Sequence, residues 1–465
     1  MYVKIREAPF HKLRLSNDFS PSRSLPMSNV AKLAAVLHSL FSGIATELGR
    51  ASGFIRRERK LTAADFLNAL VLGFLKRRDA PLEDLALPLG ISRQALDRRL
   101  DSEAAADFCR RALIHAVGQA VHGKLRKLPL LGRFKGVFLD DSTQAKLPDD
   151  AADDFPGCGS GDGVRGKAGI KALVRFEIQE GRIHHVGIHA GKVSDHDALA
   201  QAPPLPAGCL HLADLGFADF DRLEKEAARG ISWITRLPAH TQVRLSAEDG
   251  FRPLSEVLRR WRGEGVKEVD VRAEVGLKEE LPGRLVAFAC PAKVAAVRLA
   301  ALEKDAKRRG REVSGRQREM CWWTVFLTNV PDGKLTAAEV WRLYRLRWQI
   351  ELLFKRFKSE GGLDETNSGK RYRVECECYL KLLGQVVRNW LQMLRGGPLR
   401  DVNGRQVGRV LADGMKALSK ALRDIRLLEA VLIEIEKELA NIRKRTRRKK
   451  GKTCSQSLVD KDLTI

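Results

Sequence analysis

Three acidic residues stand where an apolar segment delivers a carboxylate to a surface. Asp141 closes the apolar run GVFLDD and is followed by Ser142-Thr143; Asp214 closes HLAD ahead of the small turn Leu215-Gly216. Glu351 lies inside a helix that the pattern Thr336-Ala-Ala-Glu339 opens as a capping box. Two carboxylates at strand ends, joined by one from a helix, can hold two Mg²⁺ ions ~3.5–4 Å apart, because Mg²⁺ takes hard oxygen ligands and leaves positions for a substrate phosphate. Such a pair activates a water or hydroxyl and stabilises the leaving oxygen of a phosphoryl transfer. Taken singly, each acid reads equally well as a strand-end cap or a surface charge.

The helix around Glu351 adds a pattern. Tyr344, Arg347, Glu351 and Lys358 are spaced i, i+3, i+7 and i+14, and at ~100° per residue they fall within about 60° of one another. Leu346, Ile350, Leu353, Phe354 and Phe357 occupy the adjoining face, so the helix can bury one side and present phenol, guanidinium, carboxylate and ammonium along its border. The bland alternative is a solvated face whose Arg347–Glu351 pair contributes only about 0.2–0.5 kcal/mol.

The elements that must position these groups change character along the chain. Residues 28 to about 130 have apolar residues at three- and four-residue intervals and predict helices. Within them LEDLALPLGISRQALDRRL predicts a helix, a turn at Gly90-Ile91 and a second helix capped by Ser92 and carrying Arg93, Arg98 and Arg99; a helix-turn-helix and a plain helical hairpin fit it equally. From Lys135 short β-rich runs follow (GVFLDDS, KALVRFEIQ, GRIHHVGIHAG, HLAD, SWITRL), the last two separated by a helical segment, which predicts a mixed sheet flanked by helices. Residues 241–330 are strand-like with a basic helical interlude from Ala292 to Arg311. The capped helix is expected to run from Thr336 to about Lys358, with more helix from about 372 to 441.

Composition narrows the class. Lys and Arg number 83 against 58 Asp and Glu, a formal net charge of +25, which suits a polyanion: nucleic acid first, an anionic membrane surface second, with solubility as the bland alternative. No apolar run reaches the ~18 residues of a membrane span, and the start MYVKIREAPFHK lacks the apolar core of a signal peptide. The eight cysteines are scattered; Cys376 and Cys378 lack CxxC spacing, so reduced cytosolic thiols are expected rather than a zinc site. Eight Lys and Arg between Arg443 and Lys452 predict a basic disordered tail.

The stripe Tyr344-x2-Arg347-x3-Glu351-x6-Lys358 is similar to the YREK signature of the IS4 family of DDE transposases, the enzymes of insertion sequences. The chain also resembles that family at Asp141-Ser-Thr with Leu147-Pro148, at Gly166-Lys-Ala-Gly-Ile-Lys171, at Gly191-Lys-Val-Ser-Asp195-His196, and at Asp214-Leu-Gly-Phe217 leading to Thr235-Arg236, in the family's order over roughly residues 50–365. The resemblance implies an α/β fold, an RNase H-like mixed sheet core with helices, interrupted by a β-rich insertion and carrying helical N- and C-terminal regions. It implies the catalytic and metal-binding triad Asp141, Asp214 and Glu351, with two Mg²⁺ (or Mn²⁺) ions. Tyr344, Arg347 and Lys358 are implied as holding DNA phosphates, and Arg236 as a further DNA contact. Family members that open DNA through a hairpin stack an extruded base on an aromatic near Trp322-Trp323, and one of these two is expected in that role, with strand alternation burying the other. Asp140 competes with Asp141 as the first ligand; the Ser-Thr after Asp141 and strand alternation favour Asp141.

The domain expectation is 1–130 helical DNA-binding region, 131–240 catalytic core with Asp141 and Asp214, 241–330 β-rich insertion, 331–371 core with the Glu351 helix, 372–442 helical region with dimer contacts, and 443–465 tail. The expected function is cut-and-paste transposition. The enzyme binds the inverted repeats of its element as a homodimer in a synaptic complex, cleaves by metal-dependent hydrolysis and 3′-hydroxyl attack, and joins the ends to target DNA. It is expected in the bacterial cytoplasm, associated with the nucleoid and not with a membrane. A non-catalytic repressor derived from a transposase, and a nuclease without strand transfer, are the alternatives.

Overall fold

The computed structural model describes residues 29–57, 61–119, 129–158, 167–214, 219–276, 280–347, 361–366, 368–394 and 404–442. Glu351, Lys358 and the basic tail lie outside them.

The N-terminal half-domain is helical for the reason its spacing gives. Helices α1 (Asn29–Ser39), α2 (Ala45–Ala51), α3 (Ala63–Lys76), α4 (Leu82–Ala86), α5 (Arg93–Leu100) and α6 (Glu103–Gly118) follow one another. Hydroxyl caps start three of them: Thr62, Ser92 and Ser102 accept from the backbone N–H three residues on. Phe66 of α3, Phe108 of α6 and Phe54 form one aromatic cluster, with the Phe54 and Phe108 rings stacked 5.1 Å apart.

The sheet begins with β1 (Val137–Lys146), β2 (Gly169–Glu177) and β3 (Arg182–Ala190), which form an antiparallel meander. After α7 (Asp195–Ala200), strand β4 (Leu210–Ala213) adds parallel to β1; after α8 (Phe220–Ala228), β5 (Ser232–Arg236) adds parallel to β4. The order β3-β2-β1-β4-β5, with these directions, is that of an RNase H-like core.

Residues 241–330 contain β6 (Gln242–Arg244), β7 (Arg252–Pro253), α9 (Leu254–Gly263), β8 (Glu268–Val275), β9 (Leu281–Ala289), α10 (Ala292–Arg308), α11 (Gly315–Met320) and β10 (Trp323–Thr328). These strands continue the catalytic sheet. β10 is hydrogen-bonded antiparallel to β5, with Phe326 beside Arg236 and Thr328 beside Ile234, and the order runs on through β9, β8, β6 and β7. A second hydrophobic cluster built on Trp233, Trp261, Trp323 and Leu285 sits under this half.

From β10 the chain turns into α12 (Ala337–Tyr344), whose capping box is formed: Thr336 Oγ1 accepts from Glu339 N–H and Glu339 Oε2 accepts from Thr336 N–H at 2.9 Å. The expected uninterrupted helix to Lys358 is corrected here. α12 ends at Tyr344 and the chain tightens into a 3₁₀ turn, Arg345–Arg347, in which successive side chains are ~120° apart rather than ~100°. Helices α13 (Arg371–Met393), α14 (Gly404–Ala421) and α15 (Ile425–Asn441) complete the described chain. α13 is buried along nearly its whole length and packs against α6 and α3, so the C-terminal helices share one core with the N-terminal ones.

Candidate active site

Parallel pairing of β1 and β4 sets Leu139 beside Leu212 and Asp140 beside Ala213. Side chains alternate across a sheet, so Asp141 and Asp214, two residues beyond the paired leucines, emerge on the same face at the same level, where the parallel ladder stops. The expectation that Asp141 ends its strand is corrected: β1 continues to Lys146 against β2. What ends at Asp140 is the pairing with β4, and that opens room at Asp141.

Tyr344 and Arg347 arrive from the end of α12 and its 3₁₀ turn. The Tyr344 hydroxyl donates to Asp214 Oδ1 at 3.2 Å. Arg347 Nη1 donates to Asp141 Oδ2 at 3.3 Å and lies 3.5 Å from Asp214 Oδ2. The Tyr344 ring packs on Phe326 of β10, centroids 4.9 Å apart; burial, with Asp214 beside the hydroxyl, pushes the phenol well above its ordinary range. Four of the sequence-selected residues thus converge, Arg236 at the end of β5 lies on the same side of the sheet end, and Glu351 and Lys358 fall outside the described residues. Two carboxylates reached by one guanidinium nitrogen are spaced to share a cation, and their hard oxygens suit a divalent metal. Among the described residues no group of three or more His, Cys, Asp or Glu gathers as a metal site.

Behind this face lies a charged layer that the sequence reading did not anticipate. Asp140 is fully buried and accepts from Arg175 of β2, Nε at 2.9 Å and Nη2 at 2.8 Å. His211 Nε2 is 3.1 Å from Asp140 Oδ2, and its Nδ1 is 2.9 Å from Glu226 Oε2 of α8. Burial opposes ionisation here, but Arg175 and His211 hold the Asp140 carboxyl far below the usual range, and Glu226 with Asp140 raises His211 above its own. The signal available in the sequence was a charged residue at an inward position of an apolar strand, as in KALVRFE and LHLA. On the outer part of β1, the Ser142 backbone N–H donates to Asp141 Oδ1 at 2.8 Å, while Ser142 Oγ and Lys171 Nζ both donate to Asp195 Oδ1 at 2.6 and 2.7 Å. The motif residues Lys171 and Asp195 therefore brace the strand that carries Asp141.

Residues 132–385 match the family described as Transposase DDE domain, more than half of the chain. The chain belongs to the DDE transposase family. It is 26% identical over 365 residues to the transposase for insertion sequence element IS231F of Bacillus thuringiensis subsp. israelensis, covering 72% of this chain and 74% of that one. It is 24% identical over 395 residues to the transposase for IS1151 of Clostridium perfringens, covering 79% and 82%. A shorter stretch of 83 residues is 40% identical to the putative transposase InsL for IS186A of Escherichia coli (strain K12), covering 18% of this chain and 22% of that one. The piggyBac transposase synaptic complex with hairpin DNA superposes over 92% of this chain and 89% of its own at 11% identity and a TM-score of 0.39, a likeness too low to carry geometry across.

As a DDE transposase the chain is a DNA-binding enzyme that cleaves DNA and transfers strands, and the family works with divalent metal ions. No helix among the described residues is long and apolar enough to cross a membrane.

Of the two candidate stacking aromatics, the structure buries one, as strand alternation led us to expect. Trp323 is completely buried, edge-on to Trp261 at 6.4 Å in the second core, and cannot meet DNA in the folded enzyme. Trp322 is half-buried under the Arg262 guanidinium, 5.0 Å from its ring. A cavity of about 1080 Å³ opens beside the two acids, lined among others by Arg236, His240, Arg298, Trp341, Tyr344 and Arg347. The aromatic exposed in it is Trp341, 42% accessible, leaning on Phe288. Trp341 sits in the second turn of α12, and no motif in the sequence singles it out.

Proposed function

We propose that this transposase binds the inverted-repeat ends of its own insertion sequence as a dimer in a synaptic complex, cleaves them, and joins the freed 3′-hydroxyls to target DNA in the bacterial cytoplasm at the nucleoid. Asp141, Asp214 and Glu351 are the catalytic acids in this reading and would hold two Mg²⁺ or Mn²⁺ ions. Bound there, such ions would lower the pKa of an attacking water or hydroxyl and offset negative charge on the phosphate and leaving oxygens.

The chain's own residues supply orientation. Arg347, a planar fork, can exchange carboxylate oxygens for phosphate oxygens as DNA enters, with Lys358 adding a point charge and Arg236 extending the contact along the cavity. Tyr344 fixes the rotamer of Asp214 through its hydroxyl. No covalent protein–DNA bond is needed, because positioning and charge stabilisation suffice for this chemistry.

The observation that carries this reading is the convergence of Asp141, Asp214, Tyr344 and Arg347 at the end of one parallel ladder. The test is Glu351→Gln in the full chain with end-containing duplex DNA. Binding should persist while cleavage and strand-transfer products disappear; retained Mg²⁺-dependent nicking by the variant overturns the assignment. Cleavage by the unaltered chain with no joined product would reduce the proposal to a nuclease.

A further inference from the structure

The short helical pair ahead of the catalytic core takes no part in the chemistry above. α4 and its 3₁₀ extension (Leu87–Leu89) stop at Gly90, whose φ of 63° reverses the chain. Ser92 then caps α5, its hydroxyl accepting from Ala95 N–H at 3.2 Å. The arrangement is that of a helix-turn-helix, with α5 as the second helix.

Only Leu96 and Leu100 of α5 are buried. At ~100° per residue, the pole about 180° from the midpoint of that pair carries Arg98, with Gln94 one turn before it. Both are exposed, and the half-buried Ala95 lies next to them. Arg99, also exposed, stands on one flank, whereas Arg93, exposed at the helix start, lies nearer the buried side and pairs with Glu83 of α4 at 3.1 Å. Arg98 and Arg99 have no acidic partner among the described residues. A glutamine bonds adenine N6 and N7 bidentately, an arginine bonds guanine O6 and N7, and an alanine methyl accommodates the thymine methyl. The outward pole of α5 thus carries base-reading groups and no large apolar side chain.

Asp97, the single acid of this helix, is turned aside and neutralised. It accepts from Arg373 Nη1 at 2.7 Å and Lys370 Nζ at 3.0 Å, at the start of α13. Burial acts against it, yet Lys370 and Arg373 hold its carboxyl below the usual range. Cys376 Sγ also donates to the Leu100 carbonyl at 3.3 Å. α5 is therefore fastened to the helix that packs under the catalytic core, which fixes the distance between whatever α5 reads and the acids that cut.

We propose that α5 is the reading helix of this transposase, entering the major groove of duplex DNA with Gln94 and Arg98 on neighbouring base pairs and Arg99 on a flanking phosphate. The occupant follows from charge: a cationic, donor-rich helix face on a chain of net charge +25 suits a polyanion presenting acceptors. This deepens the proposed function and rests on it only in taking that duplex to be the element's own end.

The test is selection of duplexes from a random-sequence pool by the full chain. The unaltered protein should enrich a short motif. Arg98→Ala should relax a guanine position and Gln94→Ala a nearby adenine position, each by about 5- to 150-fold in preference. Neither should change the melting temperature or the salt dependence of binding to unselected DNA, whereas Arg99→Ala should reduce that salt slope by about one. Enrichment of the same motif by both variants, or of none by the unaltered chain, overturns the proposal. Cleavage is read separately: a chain that cuts its ends while both variants keep the motif refutes the role of α5 alone. One that loses the motif through Gln94 and Arg98 but never cuts refutes the catalytic reading alone.

Discussion

Arg347 Nη1 sits 3.3 Å from Asp141 and 3.5 Å from Asp214, so one guanidinium spans two acids delivered by different strands. In the absence of metal it offsets the repulsion between them, and a metal must compete with it. Arg347→Ala should lower the melting temperature of the metal-free protein and enlarge the upward shift that Mg²⁺ or Mn²⁺ produces, since stabilisation by a ligand grows with its affinity for the folded state. Thermal denaturation with and without metal checks this; an equal metal shift in both proteins would remove the competition argument.

The adjacent aspartates should separate function from stability. Asp141→Asn, at the sheet end, is expected to leave folding nearly intact and to reduce cleavage by at least about 10³-fold, the loss of several kcal/mol of charge stabilisation. Asp140→Asn strips a fully buried Arg175 of its partner and should cost about 3–5 kcal/mol of stability. Denaturant unfolding beside a cleavage assay distinguishes the two, and a reversed pattern would transfer the metal role to Asp140.

His211 lies between Asp140 and Glu226, with Arg175 close by, and is held above its ordinary pKa of 6.5. A raised folded-state pKa adds stability that is full below the unfolded value and is lost as pH rises through the folded one. The stability gap between the unaltered protein and His211→Asn should therefore be widest below about pH 6.5 and should narrow as pH rises above it. Melting temperatures of the two proteins across a pH series test this; a gap that widens with pH would show that His211 is buried neutral.

The three tryptophans near the site should behave differently. Trp323→Ala opens a hole in the second core and is expected to cost about 3–5 kcal/mol. Trp341→Ala should leave the melting temperature nearly unchanged while weakening binding of single-stranded or distorted DNA, by about 1–3 kcal/mol if a base stacks on it. Trp322→Ala removes the contact with Arg262 and should have a small effect on both. Fluorescence-monitored unfolding and DNA titration provide the comparison.

How far the sequence reached can be followed residue by residue. Alternation in GVFLDDS was enough to set Asp140 and Asp141 on opposite faces, and the cap at Thr336 was legible because both halves of the box lie three residues apart. Local patterns stop there. A helical stripe cannot report that α12 tightens after Tyr344, since the same side chains suit an α or a 3₁₀ turn. Nor could any window show that β10 would pair with β5 across 86 intervening residues, or that Arg175, His211 and Glu226, each unremarkable in its own segment, would meet at Asp140. Strand alternation was enough to say that one of Trp322 and Trp323 would be buried, but which of them goes into the core is decided by strands elsewhere in the chain.

The pairing of β10 with β5 also constrains how such an enzyme could be rebuilt. With the insertion excised, β5 would become a bare sheet edge, its backbone groups open to association with another chain. The strand that leads into Thr336 and the Tyr344–Arg347 turn would be lost with it. Descendants of this transposase can lengthen or shorten the distal strands β6 and β7, but a graft from a distant relative must bring both sides of the β5–β10 seam together.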